Sequence, residues 1–172
     1  MKDKTPQESM AMGTHIVLPD DTNTLGNLMG GGLMYWMDVM AAVAAHRHCG
    51  RVVVTASVNN ISFNQPIQLG DFVTLEAKVT RAFGSSMEVF IDVWVEDHKS
   101  GDKMKCNEAI FTFVAVDQIG NTIEVPGLIP ETELEKQRYG GALRRKQLSL
   151  ILAGRMKAKD ATELKAIFED LS

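Results

Sequence analysis

"TLGNLMGGGLMYWMDVMAAVAA", Thr24 to Ala45, carries one charged side chain, Asp38, across twenty-two mostly apolar residues. From Gly30 the stretch predicts a helix that runs to about His48 and stops at Gly50. Apolar residues fall nearly all round that helix, so it is expected inside the protein and not on a surface. It does not read as a membrane span. Leu33–Ala45 has Asp38 near its centre and is too short, since a span needs roughly 20 apolar residues.

The flanking segments are strands. "THIVLP" (Thr14–Pro19) predicts a short first strand, and "DDTNTLGN" after it is loop chemistry. "RVVVTASVNNISF" is β-branched at its start, with a bend at Asn59-Asn60. "FVTLEAKVT" alternates, with Val73, Leu75, Ala77 and Val79 on one face. "SMEVFIDVWVE" repeats the pattern through Met87, Val89, Ile91, Val93 and Val95, after a hairpin turn at Gly84. "KCNEAIFTFVAV" is the last strand. Strand, buried helix, then four strands in a meander imply an α+β fold with the sheet wrapped around one helix. Phe90 and Trp94 fall on the outer face, which suggests contact with another subunit there. Past "VPGLIPE" the composition turns charged and helical. The expected division is a domain over 9–128 and a helical extension over 129–172.

The chain has 172 residues, 45% hydrophobic and 23% charged, which fits one globular domain with a real core. Its net charge of −4 argues against nucleic acid, for lack of surplus cations to meet phosphates. Cys49 and Cys106 form no disulfide framework, and the polar N-terminus lacks a secretory h-region, so a reducing, cytoplasmic setting is expected.

Asp38 is the candidate with chemistry. A buried carboxylate costs several kcal/mol unless it is paired or functional. A structural carboxylate bonded to a neighbouring strand is the alternative. Gly30-Gly31-Gly32 offers free backbone N–H groups at a helix N-terminus, suited to an anion or a developing oxyanion. The run is neither a phosphate loop nor a dinucleotide fingerprint, and close packing would also explain it. Asp38 stands about 12 Å along the helix from Gly30 at ~1.5 Å per residue, so one chain cannot easily present both to one carbonyl. Two antiparallel helices from two subunits can. "HRHC" (His46–Cys49) lacks a further metal ligand and reads as helix-end charge. Ser57 lacks the setting of a hydrolase nucleophile. Met34, Met37 and Met40 read as core, though Met also suits acyl chains.

"GNLMGGGLMYWMD", "VVTASVNNISF", "GDFVTLEAKVTRAFGSSMEV", "FTFVAVD" and "VPGLIPETELEK" together resemble the hotdog-fold acyl-CoA thioesterases, the cytosolic acyl-CoA hydrolase group, over roughly residues 10 to 147. The resemblance implies a hotdog fold and hydrolysis of fatty acyl-CoA. It implies Asp38 as general base or nucleophile, Asn27 completing the site from the opposite subunit, and a Gly30 or Gly31 amide polarising the thioester. Ala56-Ser57-Val58 and Ser85-Ser86-Met87 match segments lining the CoA groove, and Lys146 looks like a basic residue near the CoA phosphates. Many relatives read "HGG" where this chain has Met29-Gly30-Gly31. The implied partners are acyl-CoA and further copies of the chain, a dimer or a trimer of dimers, with no nucleic acid, membrane, metal or separate cofactor. A non-catalytic acyl-CoA sensor is the rival reading. A hotdog dehydratase is weaker, because the expected acid/base His is absent from the helix.

Overall fold

In the computed structural model, which describes residues 1–59, 61, 63 and 65–169, the chain divides into two compact units, Met1–Ile129 and the segment from Pro130 onward. The first unit opens with a turn of helix, α1 (Pro6–Ser9), and strand β1 (Ala11–Ile16). Helix α2 (Gly30–Cys49) follows, then β2 (Val52–Asn59), β3 (Phe72–Phe83), β4 (Ser86–Glu96) and β5 (Lys103–Val116). Gly50 ends α2 in the left-handed region at φ 64°, a conformation that glycine adopts without strain. No helix among the described residues is long and apolar enough to cross a membrane.

The five strands form one antiparallel sheet in the order β1-β3-β4-β5-β2. The four-strand meander expected from sequence is therefore corrected. Only β3, β4 and β5 meander, while β2 pairs with β5 at the far edge. The reason lies in the connections. Gly84 and Ser85 close a tight hairpin between β3 and β4, but residues 60–71 separate β2 from β3, far beyond hairpin length. The first strand runs over Ala11–Ile16 and not Thr14–Pro19, and it ends early because Pro19 begins a 3-10 turn over Pro19–Asp21. The expected bend at Asn59-Asn60 falls partly outside the described residues.

The inner face of the sheet holds Val73, Leu75, Ala77 and Val79 of β3 and Met87, Val89, Ile91 and Val93 of β4, all fully buried. Against them α2 sets Leu33, Met37, Ala41, Ala44, Ala45 and His48, a stripe at steps of three and four residues. Each large side chain buried this way contributes about 1.5–3 kcal/mol. The helix is not buried all round. Met34, Tyr35, Val39 and Val43 are exposed, Tyr35 to 68%. On the outer face of the sheet, Phe90 is already 93% enclosed within the chain and Trp94 half-buried, so Phe90 offers little to another subunit.

The second unit is helical. Thr132 and Glu135 cap helix α3 (Glu133–Leu152) reciprocally: the Thr132 hydroxyl accepts the Glu135 N–H at 3.2 Å and the Glu135 carboxylate accepts the Thr132 N–H at 3.0 Å. Helix α4 (Thr162–Glu169) is tied to α3 where the Leu164 N–H donates to the Gln147 side-chain oxygen at 3.0 Å.

Candidate active site

Asp38 lies mid-helix on the flank of α2 that faces β2, half-buried and not enclosed. Thr55 meets it from β2, donating its hydroxyl proton to Asp38 Oδ1 at 2.7 Å. A bulge at Ala56 shifts the β2–β5 register between Thr55 and Ser57. Thr55 pairs with Phe113, which pairs with Met87, so all three share one rung and point inward toward α2. A hydrogen bond to an ionised carboxylate is roughly twice as strong as a neutral one. This one fixes the rotation of Asp38, and among the described residues the second carboxylate oxygen accepts no hydrogen bond. That oxygen faces the exposed flank of α2.

At the N-terminus of α2, Met29 occupies the cap position without supplying a side-chain bond, and the first intrahelical bond is Leu33 N–H to the Met29 carbonyl at 3.1 Å. The amides of Gly30, Gly31 and Gly32 are thus left over, as at any helix start. Gly30 borders a cavity of about 420 Å³ together with Asn23, Leu28, Leu33, Phe63, Gln65, Pro66, Ile67, Cys106 and Asn107. The Phe63 ring rests on Gly30, 3.3–3.6 Å from where a Cβ would stand. Gly31 faces open space.

Asn27 does not line this cavity. Its backbone N–H donates to Asn23 Oδ1 at 3.2 Å and its carbonyl accepts the Asn23 N–H at 2.8 Å. Asn23 Oδ1 also accepts the Leu25 N–H at 2.9 Å, so the acceptor end of Asn23 organises the loop while its NH2 group remains to donate. On β2, Ala56 is exposed, and Ser57 and Val58 are half-buried. Ser86 sits opposite Val114, which sits opposite Val54, placing Ser86 two strands from β2, about 10 Å away at ~4.8 Å per strand. Ser85 and Ser86 are half-buried there, but Met87 is fully enclosed in the core and has no surface to offer a groove. Lys146 lies in the second unit, half-buried on α3, where burial and then the charge of Arg155 hold its ammonium below the ordinary lysine range.

The helix end keeps its expected charge at Arg47 and loses it at His48. His48 is fully buried, its ring bonded to the Pro126 carbonyl at 2.8 Å through Nε2, and burial pushes its pKa down. It therefore stays neutral and adds no charge to the helix end. His46 Nδ1 likewise bonds the Arg51 carbonyl at 2.8 Å. Asp71, Asp97 and His98 are the only trio of candidate metal ligands gathered among the described residues. Asp71 Oδ1 lies 2.8 Å from His98 Nδ1, and its Oδ2 accepts the Gln68 N–H at 2.9 Å. Asp97 accepts the N–H groups of Lys99 and Ser100. These contacts brace two loops.

A family model described as Thioesterase superfamily matches residues 25–101. An uncharacterised acyl-CoA thioester hydrolase of Bacillus subtilis is 41% identical over 139 residues, covering 81% of each chain. This chain belongs to the hotdog-fold acyl-CoA thioesterases. The thioesterase is also 38% identical over 127 residues to the human cytosolic acyl coenzyme A thioester hydrolase, 73% of this chain but 33% of that longer protein. Among solved structures, an apo-hexameric acyl-CoA thioesterase superposes with a TM-score of 0.85 at 35% identity, over 89% of this chain and 98% of that one. An acyl-CoA hydrolase of Staphylococcus aureus, solved with butyryl coenzyme A, gives 0.80 at 34% identity over 96% and 99%.

Sequence reasoning did not single out Thr55, which bonds Asp38, or Asn23, Phe63 and Cys106, which line the cavity beside Gly30. Thr55 sits in "VVVTASV", where a β-branched residue needs no explanation beyond strand propensity. Only the bulge after it marks the place as special, and a bulge leaves no reliable trace in composition. Asn23 lay in plain view inside a loop-forming run, where Asn is expected for its turn chemistry.

Proposed function

We propose that the protein hydrolyses fatty acyl-CoA to free fatty acid and CoA at a site shared between two copies of the chain. The bond between Thr55 and Asp38 beside the exposed flank of α2 carries this reading. A water held by Asp38 attacks the thioester carbonyl carbon, and Asp38 takes its proton. The carbonyl oxygen, now negative, is met by the Gly30 or Gly31 amide at a helix N-terminus. When the carbon–sulfur bond breaks, the CoA sulfur leaves and takes up a proton. CoA is part of the substrate, and the chemistry uses no separate cofactor.

The Staphylococcus aureus hydrolase has been solved with alanine replacing an asparagine, an aspartate and a threonine, at positions successively 15 and 17 residues apart. The same steps from Asp38 lead back to Asn23 and forward to Thr55. That spacing, and the presence of Asn23 in the cavity beside Gly30, favour Asn23 over Asn27 as the asparagine that orients the thioester or the water. Thr55 acts through Asp38 as a positioning residue.

The partner surface is the exposed flank of α2. Pairing Gly30 of one copy with Asp38 of another in antiparallel helices places the crossing at residue 34, beside the exposed Met34 and Tyr35. The free edge of β2 borders the same flank, where Thr55 meets Asp38. A dimer, and a trimer of dimers as in the hexameric relatives, would cover it. The two reduced cysteines suit a cytoplasmic location. Ala56, Ser57, Ser85 and Ser86 form the CoA groove in this reading.

The test is thiol release from acyl-CoA of graded length. Wild type turns over, whereas Asp38→Asn and Asn23→Ala each lose at least a thousandfold in kcat while keeping the wild-type circular dichroism spectrum. Mixing the two inactive variants and allowing subunit exchange restores part of the activity, because one site of each mixed pair is intact. Tight acyl-CoA binding without turnover by the wild type would instead mark a sensor.

A further inference from the structure

Bulges occur next to active sites because they re-aim a side chain that regular alternation would point elsewhere. β5 carries one at Cys106. Val93 pairs with Asn107 and Trp94 pairs with Lys105, so Cys106 is an extra residue with no partner on β4. Lys105 turns outward, bonding Asp92 at 2.6 Å and Glu108 at 2.9 Å. Asn107 shares the inward side of Val93, and both Cys106 and Asn107 line the cavity that begins at Gly30. Counted back from the inward Asn107, a strictly alternating strand would have sent residue 106 outward and Lys105 inward.

Resting on the function proposed above, we propose that this cavity is the acyl pocket and that Cys106 sets the chain length it accepts. Its position decides this. Gly30, the proposed oxyanion donor, lies at one side with Phe63 closed over it, so a carbonyl held at the Gly30 amide directs its chain past Leu33 and Ile67. Leu33 and Ile67 are buried and apolar, whereas Cys106 and Asn107 face them from the sheet. Burial raises the Cys106 thiol pKa, which keeps it protonated, so the wall it forms is small and uncharged. A cavity of ~150 Å³ holds a six-carbon ring. On that scale 420 Å³ takes on the order of 16 non-hydrogen atoms, and with the C, O and S of the thioester inside about 13 remain for the chain, fewer than the tail of a palmitoyl group needs. The substrate class is medium-chain acyl-CoA.

The experiment compares kcat/KM for butyryl-, octanoyl-, dodecanoyl- and palmitoyl-CoA in wild type, Cys106→Leu and Cys106→Ala. One methylene in a hydrophobic pocket is worth ~10–200-fold in discrimination. Wild type prefers octanoyl- or dodecanoyl-CoA to palmitoyl-CoA. In Cys106→Leu the dodecanoyl-to-butyryl ratio falls at least tenfold, and in Cys106→Ala the palmitoyl-to-butyryl ratio rises at least threefold. If the leucine variant does not fold, the alanine variant decides alone. Ratios unchanged in the folded variants overturn the assignment of Cys106, and a wild-type optimum at palmitoyl-CoA overturns the medium-chain class. The same ratios read as affinities, by calorimetry in the Asp38→Asn background, need no turnover. A wild type that releases no thiol from any of the four would therefore defeat the proposed function while leaving the pocket assignment to stand or fall on binding.

Discussion

Helix α2 has two apolar stripes that differ in what meets them. Leu33, Met37, Ala41, Ala44 and Ala45 close onto the sheet and are fully or almost fully buried. Met34, Tyr35, Val39 and Val43, on the other side, remain exposed in the single chain, with Asp38 between them and the edge strand β2. Equal hydrophobicity thus serves two ends. One stripe holds the fold together, while the other stays open in the single chain, where the proposed shared site would set a second copy. An even spread of apolar residues round a helix need not mean burial within one chain.

The largest expected effect breaks the second stripe. Tyr35 lies beside the proposed twofold crossing, so a Tyr35→Glu charge would face its own copy in the partner. Sedimentation should show monomers, and thiol release should fall at least a hundredfold, while circular dichroism stays that of wild type. An active monomer would refute the shared site. The matching change on the first stripe is Met37→Ala. It leaves a cavity where Met37 is fully buried and should cost about 2–5 kcal/mol in urea unfolding, with little change in kcat for the protein that remains folded.

The smallest effect concerns the end of the buried stripe. His48 is held neutral with its pKa below the ordinary 6.5, chiefly by burial. The unfolded chain binds this proton more readily than the folded one, so stability present above about pH 6.5 is lost as the pH falls toward the lowered value. Thermal unfolding between pH 7.5 and 5 should show Tm dropping faster in wild type than in His48→Gln, which keeps a donor for the Pro126 carbonyl but does not titrate. Equal slopes would remove His48 as the titrating group.

Much of the fold was legible because its periods are clean. β3 and β4 alternate without interruption over their inward residues, and the glycine that stops α2 stands where helix chemistry expects it. The strand order was not legible. Pairing of β2 with β5 follows from a long connection whose path no local pattern encodes, and the sequence suggested a plain meander. The site was half legible. Asp38 and the glycines stood out because each violates its surroundings. Thr55, Asn23 and Cys106 each satisfy an ordinary local preference; register and bulges place Thr55 and Cys106, and a loop places Asn23, at the proposed site.

The free edge of β2 has a consequence for the life of the chain before assembly. Eight residues, Val52–Asn59, offer unpaired backbone groups on one side, and Val52 and Val54 stand exposed beside them. No lysine, arginine or proline interrupts the strand, so it lacks the usual guards against pairing with a stranger. A newly made copy is therefore safest in the company of others like it. Dilution prolongs the interval in which the open edge can pair with another chain.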